Sequence, residues 1–123
     1  MIKELNSLAL AYIGDAVYEL LVREYLLSKD ICKVKDLQKE SVKYVSAKGQ
    51  YQILIKMIDE HFFNDDELNI IFRARNHKVD HKPKNCDIVT YKYATGFEAI
   101  IGYLYLEKNY NRVNEIMDYI RGE

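Results

Sequence analysis

Leu8-Ala9-Leu10-Ala11-Tyr12-Ile13-Gly14-Asp15-Ala16-Val17-Tyr18-Glu19-Leu20-Leu21 is the stretch that decides the fold. From about Leu8 to Leu27 the apolar positions, among them Leu8, Ala11, Tyr12, Val17, Leu20, Leu21 and Tyr25, cover most of a helical circumference. Such a pattern predicts a buried, central helix. Asp15, Glu19, Arg23 and Glu24 interrupt it, so it does not read as a membrane span. Ser28-Lys29-Asp30 ends it.

Working outward, the same period continues. Val34, Leu37, Val42 and Val45 lie among Lys33, Lys35, Lys39 and Lys43, an amphipathic stretch from Val34 to Tyr44. Ser46 suits the N-cap of a third helix, Ala47 to Ile58, and Asn64 or Asp65 suits that of a fourth, which runs to about His77. A second strongly apolar helix is expected from about Ile88 to Lys108, and a short amphipathic one from Val113 to Ile120. One Pro and five Gly in 123 residues leave few strand-turn signals, so the expectation is an all-α fold of about six to seven helices. Residues 1–123 read as one domain. With 49% apolar residues it can build a core, though a domain of this size stays marginal unless a partner covers more surface.

The eighteen basic and nineteen acidic residues nearly cancel, so any affinity for nucleic acid must come from local patches. Cys32 and Cys86 form no disulfide framework, and no signal peptide is evident; a reduced, soluble, cytoplasmic protein is expected. The period fails only at Lys78-Val79-Asp80-His81-Lys82-Pro83-Lys84-Asn85-Cys86. An aperiodic connection of about a dozen residues within a compact domain usually serves function or motion.

Two acids stand in the two most apolar helices. Asp15 follows Gly14, and Glu98 stands in Gly96-Phe97-Glu98-Ala99-Ile100-Ile101-Gly102-Tyr103-Leu104. Burying an ionised carboxylate without a partner costs several kcal/mol. Each acid therefore needs a compensating charge, a metal or an opening to solvent. A glycine inside a helix costs about 1 kcal/mol against alanine and makes sense where backbones approach closely. Two helices crossing at Gly14 and Gly102 could present both carboxylates to a hard divalent cation such as Mg²⁺, which takes oxygen ligands. Such a cation activates water and stabilises charge in phosphodiester hydrolysis. From the residues alone two other readings stay open. Asp15 also suits the N-cap of a helix beginning there, and Glu98 an ion pair with Lys92 or an arginine.

Tyr12-Ile13-Gly14-Asp15-Ala16-Val17-Tyr18-Glu19-Leu20 resembles the signature of the ribonuclease III catalytic domain, and Phe97-Glu98-Ala99-Ile100-Ile101-Gly102-Tyr103-Leu104-Tyr105-Leu106 resembles that family's second motif. Their order and separation fit, and the likeness covers essentially the whole chain. Other acids usual in the family are replaced here by Leu8, Ala11 and Thr95. That departure is similar to the Mini-ribonuclease III branch. So are Leu8 to Ala16, Arg73-Ala74-Arg75-Asn76-His77-Lys78 and Pro83-Lys84-Asn85. The resemblance implies a catalytic domain without a double-stranded-RNA-binding domain, working as a homodimer. It implies Mg²⁺ held by Asp15 and Glu98, cleavage of double-stranded RNA leaving 5′-phosphates, and a part in maturing the precursor of large-subunit ribosomal RNA. A ribosomal protein is a further candidate partner. The alternative is a non-catalytic RNA-binding or ribosome-associated member of the same fold.

Arg73, Arg75, Asn76, Lys78, Lys82 and Lys84 are the candidate RNA contacts, opposed in sequence only by Asp80. A-form duplexes are recognised mainly by shape and backbone charge, which a basic loop suits. The lysines from Lys29 to Lys56 read instead as a solvated helix face. His77, Asp80, His81 and Cys86 fit no common zinc spacing.

Overall fold

The computed structural model describes residues 2–79 and 84–122. After a short 3₁₀ turn at Ile2–Glu4 come α1 (Ser7–Ser28), α2 (Val34–Val45), α3 (Ala47–Asp59), α4 (Asp65–Arg75), α5 (Ile88–Leu106) and α6 (Tyr110–Arg121). There is no strand among the described residues. The all-α expectation is met.

Side chains fix the helix starts. Asn6 accepts from the Leu8 amide at 2.7 Å, Ser46 from Gly49 at 3.0 Å, and Asp87 from Thr90 at 2.9 Å. Asn64 and Glu67 form a reciprocal capping box at α4, each satisfying an otherwise orphaned backbone N–H. The ends are less orthodox. Asp30, His61 and Lys108 follow α1, α3 and α5 with φ of 61°, 58° and 62°. Left-handed turns of this kind usually carry glycine.

The central helix is α5, which packs against α1, α3, α4 and α6. Phe97, Ile100 and Ile101 are buried on it, and burial of such a side chain contributes about 1.5–3 kcal/mol. The sequence expectation that α1 is central needs correction. Leu10, Gly14, Tyr18, Val22 and Leu26 form its covered face. Tyr12 (83% exposed) and Leu20 (59% exposed) stand on the opposite side with Leu8 and Leu27. Being apolar all round, α1 buries only one face within the protomer.

Two polar ties lock the packing. Tyr18 meets Phe97 edge-on with ring centroids 5.0 Å apart and donates its hydroxyl to the Tyr44 carbonyl at 2.9 Å, joining α1, α5 and α2. Arg112 of α6 donates to both oxygens of the buried Glu67, at 2.8 Å each, and to the Phe62 carbonyl at 2.8 Å. That fork satisfies a carboxylate which would otherwise be costly to bury.

Candidate active site

The site is built where α1 crosses α5. A Cβ at Gly14 would stand 1.8 Å from the Glu98 carbonyl oxygen, and one at Gly102 would stand 1.9 Å from the Leu10 carbonyl oxygen. Neither position has room for any side chain, so the helices touch backbone to backbone. Asp15, next to Gly14, and Glu98, four residues before Gly102, are thereby brought together, and their carboxyl groups are hydrogen-bonded to each other. Asp15 is exposed and Glu98 half-buried, so the pair opens on solvent from the Asp15 side.

The geometry decides between the open readings. Asp15 lies well inside α1, whose N-cap is Asn6, and so does not cap a helix. Glu98 makes no ion pair with Lys92 or any arginine among the described residues; its bonded partners are Asp15 and Gln50, whose Nε2 donates to Oε2 at 3.4 Å. Burial first, then the bond to and the charge of Asp15, push the Glu98 carboxyl from the usual 4.5 up to about 8, and the Gln50 amide pulls it partly back. At neutral pH the Glu98 carboxyl therefore tends to keep its proton, because its ionised form is buried and faces a second acid.

Two oxygen donors, one reachable from solvent, form a set that fits Mg²⁺, which commonly takes one or two carboxylates and completes its shell with water and substrate phosphate. No group of three or more His, Cys, Asp or Glu is poised for a metal among the described residues; of the residues weighed for zinc, Asp80 and His81 lie outside them. Leu8 is exposed, Ala11 is buried, and the buried Thr95 donates its hydroxyl to the Tyr91 carbonyl at 3.0 Å, so none of these positions supplies a ligand charge.

The basic residues divide into free and braced. Arg73, Lys78 and Lys84 are exposed. Arg75 is half-buried: it donates to the Tyr93 hydroxyl at 3.2 Å and to Asn76 at 3.0 Å, and lies over the rings of Phe72 and Tyr93. Asn76 caps the end of α4. Lys82, with Asp80 and His81, lies outside the described residues. Lys84 lines a cleft of about 560 Å³ together with Lys48, Tyr51 and Ser46 at the start of α3. Sequence reasoning had grouped Lys48 with the solvated run. For Lys43 that grouping is apt, since it pairs with Glu40 at 2.7 Å on an exposed surface.

Gln50 was missed. Its signal is the same as that of the two acids: it is a polar residue on an apolar helical stripe, in line with Leu54 and Met57 on α3.

Residues 8–109 match the family described as Ribonuclease III domain. The chain is 44% identical over 119 residues to the Mini-ribonuclease 3 of Staphylococcus aureus, covering 97% of this chain and 89% of that protein. Against the Mini-ribonuclease 3 of Streptococcus pneumoniae it is 40% identical over 115 residues, covering 94% and 90%. The crystal structure of protein FN1578 from Fusobacterium nucleatum superposes with a TM-score of 0.87 at 32% identity, over 98% of this chain and 96% of that one.

Proposed function

The chain belongs to the ribonuclease III family, in its Mini-ribonuclease 3 branch, and is an endonuclease of double-stranded RNA; from that premise we propose that it is Mg²⁺-dependent, with Asp15 and Glu98 as its metal-holding pair, and that it matures the precursor of large-subunit ribosomal RNA in the cytoplasm. The observation that carries the site assignment is the contact of two carboxyls, one of them pushed up to about 8, at a crossing of two glycines.

Each part of the chain has a task in this reading. The crossing of α1 and α5 at Gly14 and Gly102 brings the two carboxyls together. Asp15 would be the ligand reachable from solvent, being the exposed member. Glu98 would be the second oxygen ligand, a carboxyl that burial and Asp15 make costly to ionise until a cation is beside it. A cation held by this pair would supply charge neutralisation at the scissile phosphate and would favour hydrolysis of the phosphodiester by water. Cleavage leaves a 5′-phosphate and a 3′-hydroxyl. Arg73, Arg75, Asn76, Lys78, Lys82 and Lys84 are the contacts assigned to the RNA backbone, with Arg75 braced against Tyr93 at the end of α4.

The protein acts as a homodimer through α1. In support of this, Tyr12 and Leu20 are exposed, and a hollow of about 370 Å³ lined by Ile13, Ala16, Val17, Leu20, Tyr105 and Tyr110 lies on the same side of the helix. A two-fold copy covering that face supplies a second carboxyl pair for the opposite strand. A ribosomal protein is a candidate third component.

Incubation with a long RNA duplex, with and without Mg²⁺, tests the reading. Cleavage only with the metal, giving 5′-phosphate ends, is the expected result. A retarded but intact duplex would select a non-catalytic RNA-binding role.

A further inference from the structure

We propose that Gln50 is a positioning residue of the active site: its side-chain amide, anchored on the end of α2, holds the Glu98 carboxylate in the orientation that faces Asp15. The inference depends on the reading that Asp15 and Glu98 hold the metal, and deepens it.

Gln50 is 2% exposed and sits in the first turn of α3, among Leu54 and Met57. A buried primary amide is unfavourable unless its donors are used. Nε2 has two hydrogens and two partners: the Val45 carbonyl and Glu98 Oε2, each at 3.4 Å. The first partner is the last carbonyl of α2, left over at a helix end, and α2 joins α3 through Ser46 alone. The second belongs to a residue 48 positions away in the chain. One amide thus spans a fixed backbone point and a carboxylate of the site.

The rest of the surroundings leave this task to Gln50. Among the described residues no lysine or arginine pairs with Glu98, and the bonded groups that reach it are Asp15 and Gln50. Asp15 is the fellow ligand of that reading, and its charge opposes ionisation of Glu98. Gln50 alone is a neutral donor, buried and bonded through the same nitrogen to the Val45 carbonyl. With Leu8, Ala11 and Thr95 lacking carboxylates, few ligands hold the cation, so the aim of each one matters more. Groups that orient a metal ligand from behind typically change metal affinity or activity about 10–100-fold when removed.

The test is Gln50→Met, which keeps volume and reach and removes both donors. The concentration of Mg²⁺ giving half-maximal cleavage should rise about tenfold or more. Without RNA, the rise in melting temperature on titrating Mg²⁺ should move to correspondingly higher concentration, while duplex affinity in metal-free buffer stays as in the wild type. A role limited to capping α2 would instead lower the metal-free melting temperature and leave both midpoints in place, which would overturn the proposal. If the wild type gains no stability from Mg²⁺ and Glu98→Gln cuts normally, the metal reading falls and the positioning role with it. If the wild type responds to Mg²⁺ and Gln50→Met keeps its midpoints, the positioning role alone falls. Should Gln50→Met not fold, the side-chain amide protons of Gln50 in the wild type decide. They should stay protected from solvent exchange when Mg²⁺ is bound, and their release on metal binding would overturn the inference.

Discussion

Gly14 lies so close to the Glu98 carbonyl that the smallest side chain would overlap it, at 1.8 Å. Backbone cannot give way as a flexible side chain can. Gly14→Ala is therefore expected to cost about 1–3 kcal/mol or more by forced separation of α1 and α5. In a domain of this size that is a fall in melting temperature of at least about 4 °C. It should also depress cleavage beyond the loss of folded protein, because Asp15 moves away from Glu98. A melting temperature within a degree of the wild type would contradict the close crossing.

The Glu98 carboxyl titrates at about 8 in the folded protein, against an ordinary 4.5. Its folded value is raised, so the folded state holds the proton more tightly than the unfolded chain does. Metal-free stability from this group is intact below about 4.5, declines as pH rises, and levels off above about 8. Glu98→Gln should flatten that part of the profile, with stability above the wild type near pH 8. At subsaturating Mg²⁺ wild-type cleavage should climb over the same window as Glu98 loses its proton. Denaturation midpoints across pH, wild type beside the variant, check the sign.

Tyr12 and Leu20 should govern assembly. The double variant Tyr12→Asp, Leu20→Asp places charge on an exposed face and removes nothing from the protomer core, so it should fold and sediment as a monomer where the wild type sediments as a dimer. A wild-type monomer at micromolar concentration with full activity would refute the role assigned to α1.

Replacing Lys78, Lys82 and Lys84 together by alanine should weaken duplex binding and reduce its log–log salt slope by about 2–3, since fewer counterions are released. Turnover at saturating RNA should fall much less. Lys48 shares the cleft of Lys84, so Lys48→Ala should reduce the slope further. An unchanged slope in the triple variant would move the interface elsewhere.

What was legible in the sequence follows from what is local. The starts of the third and fourth helices were readable because Ser46 and Asn64 bond to amides three residues on, whereas the sixth, expected from Val113, begins at Tyr110 behind Asn109. Helix ends were less so. The fifth helix was expected to reach Lys108 and stops at Leu106, because the stop is a left-handed lysine with no glycine to announce it. Asp15 and Glu98 stood out since charge in an apolar helix demands a reason. The uncovered side of α1 did not, because a helix apolar all round carries no phase; only the position of α5 shows which face is spare. Gln50 escaped for a like reason, its partner being set by tertiary packing rather than by spacing.

The central claim is that Asp15 and Glu98 together make the metal site that cuts RNA. The most direct measurement is single-turnover cleavage of an RNA duplex across a Mg²⁺ titration, for the wild type, Asp15→Asn and Glu98→Gln, with duplex affinity measured beside it. Both variants should bind the duplex about as tightly as the wild type, remain folded, and give no cleavage at any Mg²⁺ concentration. Wild-type cleavage by either variant at saturating Mg²⁺ would contradict the account.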